Sequence, residues 1–244
     1  MRYPTLVLLV CALMLAISIG CNSAPGRPAL ESEVLPPDRV LNFERLYQQN
    51  CAGCHGSGGL GGAAVSLSSG VYLAIAGDDT IRRVTAEGVP GTVMPAFAQS
   101  SGGMLTDEQI NAIVSGIRTR WGKAHLSDIA LPSYAASTPG DSQRGVDVYR
   151  TYCSSCHGDG GRGGARAGSI VDGSYLTLVS DQYLRTIVIV GRPEMGAPDW
   201  RDDVPGKPMS QQEISDVVAW LAAQRPKILN QAYSDKDPVT GGVR

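Results

Sequence analysis

The chain has 244 residues, a length that fits one large domain or two small ones. It carries 21 Lys and Arg against 23 Asp and Glu, so it lacks the basic excess with which a nucleic-acid-binding protein neutralises phosphates. Only two Phe accompany 30 Gly, and small domains with so few large aromatic side chains are marginally stable unless a bound group completes their core.

The N-terminus predicts export. Arg2 precedes an apolar stretch at 6–19, which is shorter than the ~20 residues of a bilayer span and typical of an export signal. The stretch ends at Gly20 and Cys21, which resembles a bacterial lipoprotein signal, in which the Cys becomes acylated after cleavage. Ser18 departs from that pattern, because an aliphatic residue is preferred there. An ordinary cleaved signal and an uncleaved anchor are the alternatives.

The rest of the chain repeats one order of features twice. Each repeat has a helix-like segment, a Cys-x-x-Cys-His string, a glycine-rich stretch, a Met and a second helix. The expected helices span about 38–50, 106–121, 141–152 and 210–224. The resulting division is a signal at 1–20, a flexible tether at 21–37, a first domain at 38–122, a linker at 123–139, a second domain at 140–225 and a polar tail at 226–244.

Each Cys-x-x-Cys-His string predicts the covalent attachment of one c-type haem. Residues three apart on a helical turn face the same way, so both sulfurs can form thioethers with one edge of the ring while the following His supplies the proximal nitrogen. The thioether positions are Cys51 and Cys54 in the first repeat and Cys153 and Cys156 in the second. The proximal ligands are His55 and His157, and the expected cofactors are two haem c groups.

Two other uses of the cysteines are weaker. A four-sulfur zinc site would have to join pairs 102 residues apart and would not need a His after each pair. A redox-active disulfide lacks the strand–helix context usual for such a motif.

The sixth iron ligands are expected to be methionines. Only His125 remains after the two proximal histidines, so this chain cannot supply two bis-His haems. Met94 and Met195 lie in irregular segments with a nearby Pro, 39 and 38 residues after the respective His, and we predict both as axial ligands rather than ordinary gap fillers. Met104 and Met209 adjoin the final helices, where a core or staple contact is expected.

From residue 38 to about 225 the sequence resembles two tandem class I cytochrome c domains, carried by the two Cys-x-x-Cys-His strings and their methionines. The resemblance implies an all-α fold in which each domain wraps one haem and its terminal helices cross at a contact of a small residue with an aromatic one. In the second repeat Gly145 and Trp220 match that contact. In the first repeat the large residue, Phe43, is in the first helix and the small one, Gly116, is in the last. This exchange would preserve the packed volume at the crossing, and the alternative is that both changes are incidental.

The resemblance also raises two points about haem contacts. Its members usually place a Pro carbonyl near the free ring nitrogen of the proximal His, and neither repeat has a Pro there, so another carbonyl must serve. Arg162 and Arg166 are candidates for pairing with haem propionates, and a solvated surface role is the alternative.

These features predict a dihaem cytochrome that carries single electrons at a bacterial membrane surface, since a filled sixth site leaves no place for substrate. It would act as a carrier or as the cytochrome subunit of a respiratory or photosynthetic complex, with redox proteins as partners and no nucleic acid. The expected location is exported and membrane-anchored through Cys21, facing the periplasm or the cell exterior. The alternative is a haem enzyme, such as a peroxidase or a sulfur-compound-oxidising subunit, which would need an open or displaceable axial site.

Overall fold

The computed structural model describes residues 35–122, 126 and 130–227. Both repeats lie in one compact unit that starts at Val40, and the described residues before it include a 3-10 turn at Pro37–Arg39. The predicted signal, Cys21, His125 and most of the predicted tail lie outside the described residues.

The described ranges contain helices and no strands, in agreement with the predicted all-α class. None of these helices is both long enough and apolar enough to cross a membrane. The first repeat holds four helices and the second five. They are α1 (Phe43–Asn50), α2 (Ala52–His55), α3 (Gly70–Glu87), α4 (Asp107–Trp121), α5 (Ser142–Tyr152), α6 (Ser154–His157), α7 (Gly173–Thr177), α8 (Asp181–Val190) and α9 (Gln211–Ala223).

The predicted helix starts at the two final helices are confirmed. Thr106 and Ser210 each form a capping box, in which the hydroxyl accepts the N3 amide and the N3 side chain accepts the cap amide. The apolar positions that both final helices share are buried, at 8% exposure or less, and they form the core of each repeat. They are Ile110, Ile113, Val114 and Ile117 in α4, and Ile214, Val217, Val218 and Leu221 in α9.

The structure adds helices between each Cys-x-x-Cys-His string and its methionine, where the sequence predicted only a glycine-rich stretch. Ser69 caps α3 by accepting the Tyr72 amide, and Gly77, with φ 66°, interrupts this helix in the middle. The second repeat has two separate helices, α7 and α8, in the corresponding place. Gly can adopt this left-handed conformation without the steric penalty of a Cβ, so the chain changes direction at Gly77 while helix continues on both sides.

The first and last helices of each repeat cross as expected, with the bulk exchanged between them. In the first repeat the Phe43 ring fills the space beside Gly116, where an added Cβ would overlap it. In the second, Gly145 lies against Trp220, and a Cβ added at Gly145 would lie only 2.6 Å from the Trp220 Cβ. The contact between Phe43 and Gly116 confirms the predicted exchange of volume.

The described part of the linker is irregular, and it is fixed to α8. Arg185, which is only 2% exposed, donates from Nη2 to the Ser133 carbonyl at 3.0 Å and from Nε to the Tyr134 carbonyl at 3.1 Å. Linker carbonyls thus satisfy a buried guanidinium, whose pKa burial lowers from its ordinary value.

Candidate haem sites

Both Cys-x-x-Cys-His strings fold into the same single helical turn. The first Cys ends one helix and caps the next, with φ near −118° in Cys51 and −115° in Cys153. The amide of the His donates to the carbonyl of that Cys, at 2.9 Å in the first repeat and 3.0 Å in the second. Each string therefore presents its two sulfurs and its imidazole from one turn, as the attachment of a planar group requires.

Each proximal His is oriented by a backbone carbonyl. His55 Nδ1 lies 2.8 Å from the Val65 carbonyl oxygen, and His157 Nδ1 lies 2.9 Å from that of Gly168. A carbonyl can only accept, so Nδ1 carries the hydrogen and Nε2 keeps the lone pair that binds a metal. The expectation that a carbonyl other than that of a Pro serves this role is confirmed.

The electrostatics of the strings favour uncharged donor atoms. Burial lowers the pKa of His55, and the hydrogen bond to Val65 only partly offsets this, so the imidazole is neutral near pH 7. Burial also raises the pKa of the Cys51 and Cys153 thiols to about 12. Zinc would need thiolates, and among the described residues no cluster of three or more His, Cys, Asp or Glu side chains could hold a metal ion.

In each repeat, a buried tyrosine of the preceding helix forms a hydrogen bond next to the string. Tyr47 donates its hydroxyl to the Gly56 carbonyl at 2.7 Å, and Tyr149 donates to the Gly158 carbonyl at 2.5 Å. In both repeats the acceptor is the residue directly after the His. The equal spacing of the two tyrosines, four residues before the first Cys, was the sequence signal for this shared role.

The two predicted methionine ligands lie in different surroundings. Met94 is half-buried and its amide lies 3.2 Å from Thr92 Oγ1. Met195 ends the 3-10 turn Pro193–Met195, before Gly196 in the left-handed conformation, and is 72% exposed.

The loops that carry these methionines have the same backbone pairing. In the first repeat the Val89 amide donates to the Met94 carbonyl at 3.0 Å. In the second the Arg192 amide donates to the Ala197 carbonyl at 2.8 Å. The pairing places Ala197, and not Met195, at the position of Met94.

The two repeats stay aligned beyond these loops. The Leu105 amide donates to the Phe97 carbonyl at 2.8 Å, and the Met209 amide donates to the Trp200 carbonyl at 2.9 Å. The sequences agree without a gap, since 88–97 read GVPGTVMPAF and 191–200 read GRPEMGAPDW. Counting the residues from each His to the predicted Met ligand missed this alignment. The Gly, the two Pro and the aromatic residue that both segments share would have revealed it.

The remaining methionines do not share one role. Met209 is 5% exposed and takes the place of buried Leu105, which confirms its predicted core position. Met104 is 82% exposed, so the core prediction for it was wrong. It directly precedes Leu105 and points to solvent, because the core position in this register belongs to Leu105.

A cavity of about 390 Å³ adjoins the second string. It brings Cys156 together with the loop that contains Pro193, Gly196 and Pro198, and the exposed residue Arg166 also lines it. The remaining lining residues are Tyr152, Ser155, Asp202 and Asp203. Burial, with Asp199 and Asp202 nearby, raises the pKa of Asp203 to about 7. An open space beside a string that presents two thiols and an imidazole fits a covalently held haem.

Comparison with known proteins agrees with this arrangement. The family model described as "Cytochrome C oxidase, cbb3-type, subunit III" matches residues 38–115 and again 140–221, once in each repeat. The chain belongs to this family. It is therefore a tandem cytochrome c, and membership implies covalently bound haem c.

Curated relatives include subunits of two kinds of respiratory complex. The cbb3-type cytochrome c oxidase subunit CcoP of Azospirillum sp. (strain B510) is 31% identical over 52% of this chain and 41% of its own length. The cytochrome bc1 complex cytochrome c subunit of Corynebacterium diphtheriae is 24% identical over 94% of this chain and 85% of its own length. The chain thus spans less than half of the first of these relatives. Among solved structures, the Kuenenia stuttgartiensis reducing HAO-like protein complex Kustc0457/Kustc0458 is 18% identical, with 79% of this chain and 100% of that chain covered and a TM-score of 0.45.

Proposed function

We propose that the protein is a dihaem c-type cytochrome that passes single electrons between redox proteins. The observation that carries the proposal is the repeated Cys-x-x-Cys-His turn, in which the His ring is oriented by a carbonyl in both repeats. Cys51 and Cys54 would hold one haem, and Cys153 and Cys156 the other. Bound haem c supplies a one-electron couple, and the chain fixes its position and surroundings.

The axial ligands we propose are His55 with Met94, and His157 with Met195. Neutral imidazole and thioether donors favour the reduced iron and raise its reduction potential relative to harder ligand sets. The carbonyls of Val65 and Gly168 hold each imidazole in one tautomer, which limits rearrangement when the charge on the site changes.

The relatives and the N-terminus support our proposals for the partners and the location. Relatives named as subunits of cbb3-type oxidase and of the bc1 complex support a role as the cytochrome subunit of a respiratory assembly, alongside a role as a carrier. The lipoprotein-like segment ending at Cys21 supports export and anchoring to a membrane by an acylated Cys. Acylation at Cys21 predicts a lipid adduct on the mature N-terminus in mass spectrometry.

The test is a potentiometric titration of the purified protein, followed by visible and near-infrared spectroscopy. We expect covalent haem staining of the denatured chain, about two reversible electrons per chain, and a near-infrared sulfur-to-iron band in the oxidised state. Met94→Ala should remove a share of that band and lower one potential by on the order of 0.1–0.3 V, within the ~0.8 V range that axial ligands span. Met104→Ala, at the exposed position, is the control. A chain that binds fewer than two haems, or a Met104→Ala variant that loses the band instead, would contradict the proposal.

A further inference from the structure

The two repeats differ at the position from which Met94 approaches its site. Backbone pairing and sequence both align Met94 with Ala197, whose methyl group carries no atom that can bind iron. Met195 corresponds in this register to Thr92, two residues earlier. A methionine side chain at that position starts from a different point on the loop backbone than the side chain of Met94.

Met195 also has little support from the surrounding protein. It lies at the tip of a turn closed by the paired residues Arg192 and Ala197, and 72% of it is exposed. The cavity beside Cys156 is lined on this side by Pro193, Gly196 and Pro198. Little of the surrounding protein therefore packs on the Met195 side chain, so little packing would support a bond made by its sulfur.

The base of the same turn is fixed to the first repeat. Arg192 pairs with Glu194 at 2.8 Å and donates to the Gly62 carbonyl at 2.5 Å, while Ser66 donates to Glu194 at 3.0 Å. Both charged side chains are mostly buried, at 14% and 19% exposure. Moving the turn to improve the reach of Met195 would break these bonds, so such movement is costly.

From these observations, and resting on the proposed function, we propose that the second haem site has an exchangeable sixth position. Met195 occupies it weakly, and small uncharged ligands such as carbon monoxide can take its place, whereas Met94 closes the first site. Asp202 and Asp203 line this cavity together with a single basic residue, Arg166, so the lining offers an anionic ligand no excess of positive charge.

The test is a titration of the reduced, haem-loaded full chain with carbon monoxide, followed by visible difference spectra. We expect about one carbon monoxide per chain, although two haems are present, because only a displaceable ligand yields its place. Binding of none would overturn the proposal, and binding of two in the unaltered chain would overturn the difference between the sites.

Variants assign the binding to a repeat. Ala197→Met restores the residue of the first repeat and should weaken carbon monoxide binding at least about tenfold, which corresponds to ~1.4 kcal/mol. Met94→Ala should raise the stoichiometry to about two, and this variant keeps the proposal testable if Ala197→Met fails to fold. Met195→Ala should leave one binding event and make it faster. A Met195→Ala variant with unchanged rate, or an Ala197→Met variant with unchanged affinity, would contradict the assignment.

Electron counting separates this inference from the proposed function. A chain that takes up about two electrons reversibly but binds no carbon monoxide would refute the exchangeable site and leave the electron carrier intact. A chain that fails to take up two electrons would refute the carrier itself.

Discussion

The two tyrosines ahead of the Cys-x-x-Cys-His strings show how a single hydroxyl can set the position of a turn. Tyr47 and Tyr149 are 1% and 2% exposed, yet each hydroxyl reaches the carbonyl that follows the proximal His. Burial is the largest effect on Tyr149 and raises the pKa of its phenol, so the hydroxyl stays protonated and donates throughout the physiological range.

Removing this hydroxyl should weaken the second repeat. Tyr149→Phe keeps the ring that packs on Trp220 with centroids 4.3 Å apart, but leaves the Gly158 carbonyl without this donor. We expect a loss of about 1–2 kcal/mol in the free energy of unfolding, measured by guanidinium denaturation of the haem-loaded chain. Thr151→Ala, exposed on the same helix, is the control. Equal unfolding midpoints for the Tyr149→Phe variant and the unaltered chain would show that the hydroxyl does not stabilise the turn.

At the level of helices, the terminal crossings show that packed volume, and not residue identity, is repeated. Phe43 contacts Tyr47 and Trp121, with ring centroids 5.6 and 5.7 Å apart, and lies over Gly116 in the crossing helix. In the second repeat the aromatic ring comes from the last helix and the glycine from the first. The same gap is therefore filled from the opposite side.

Adding a methyl group at the first crossing should be destabilising. Gly116→Ala would favour the helix by about 1 kcal/mol through its propensity, but its Cβ would overlap the Phe43 ring. Overpacking of this kind costs typically about 1–3 kcal/mol, so we expect a net loss of up to ~2 kcal/mol in thermal or chemical unfolding.

Two further variants identify the cause. Ser115→Ala, exposed on the same helix, should be neutral or slightly stabilising. Phe43→Leu combined with Gly116→Ala should lose less than the sum of the two single changes, because the smaller side chain makes room for the methyl group. Strict additivity would mean that the two residues do not compete for space.

The helices themselves were predictable to different degrees, for physical reasons. The final helices could be predicted from local sequence, since Thr106 and Ser210 are N-cap residues and the apolar residues recur with one helical period throughout. Helix α3 could not be predicted in this way, because Gly77 interrupts it and its stability comes from burying Leu73 and Ile81 against other elements. The Cys-x-x-Cys-His turns were predicted from spacing alone. The orienting carbonyls and the alignment of Met94 with Ala197 depend on backbone pairing that spacing does not encode.

At the scale of the whole molecule, the repeats meet where helices α3 and α8 contact each other and through a set of polar contacts. Three hydrogen bonds join segment 62–66 of the first repeat to the second repeat. Arg192 donates to the Gly62 carbonyl and Ser66 donates to the Glu194 carboxylate. Tyr183 donates to the Ala63 carbonyl at 3.2 Å. Val65, whose carbonyl orients His55, belongs to the same segment. One short stretch therefore orients His55 and contacts the loop of Met195.

These contacts should couple the stabilities of the two repeats. Ser66 is 4% exposed, so its bond to the Glu194 carboxylate lies largely out of water. We expect a double-mutant cycle with Ser66→Ala and Glu194→Ala, measured by reversible denaturation of the haem-loaded chain, to show a coupling free energy of about 1–2 kcal/mol. Ser66→Ala combined with Asp147→Ala, an exposed change in the second repeat, should be additive within about 0.5 kcal/mol. Additivity of the first pair would mean that the bond between Ser66 and Glu194 does not couple the stabilities of the two repeats.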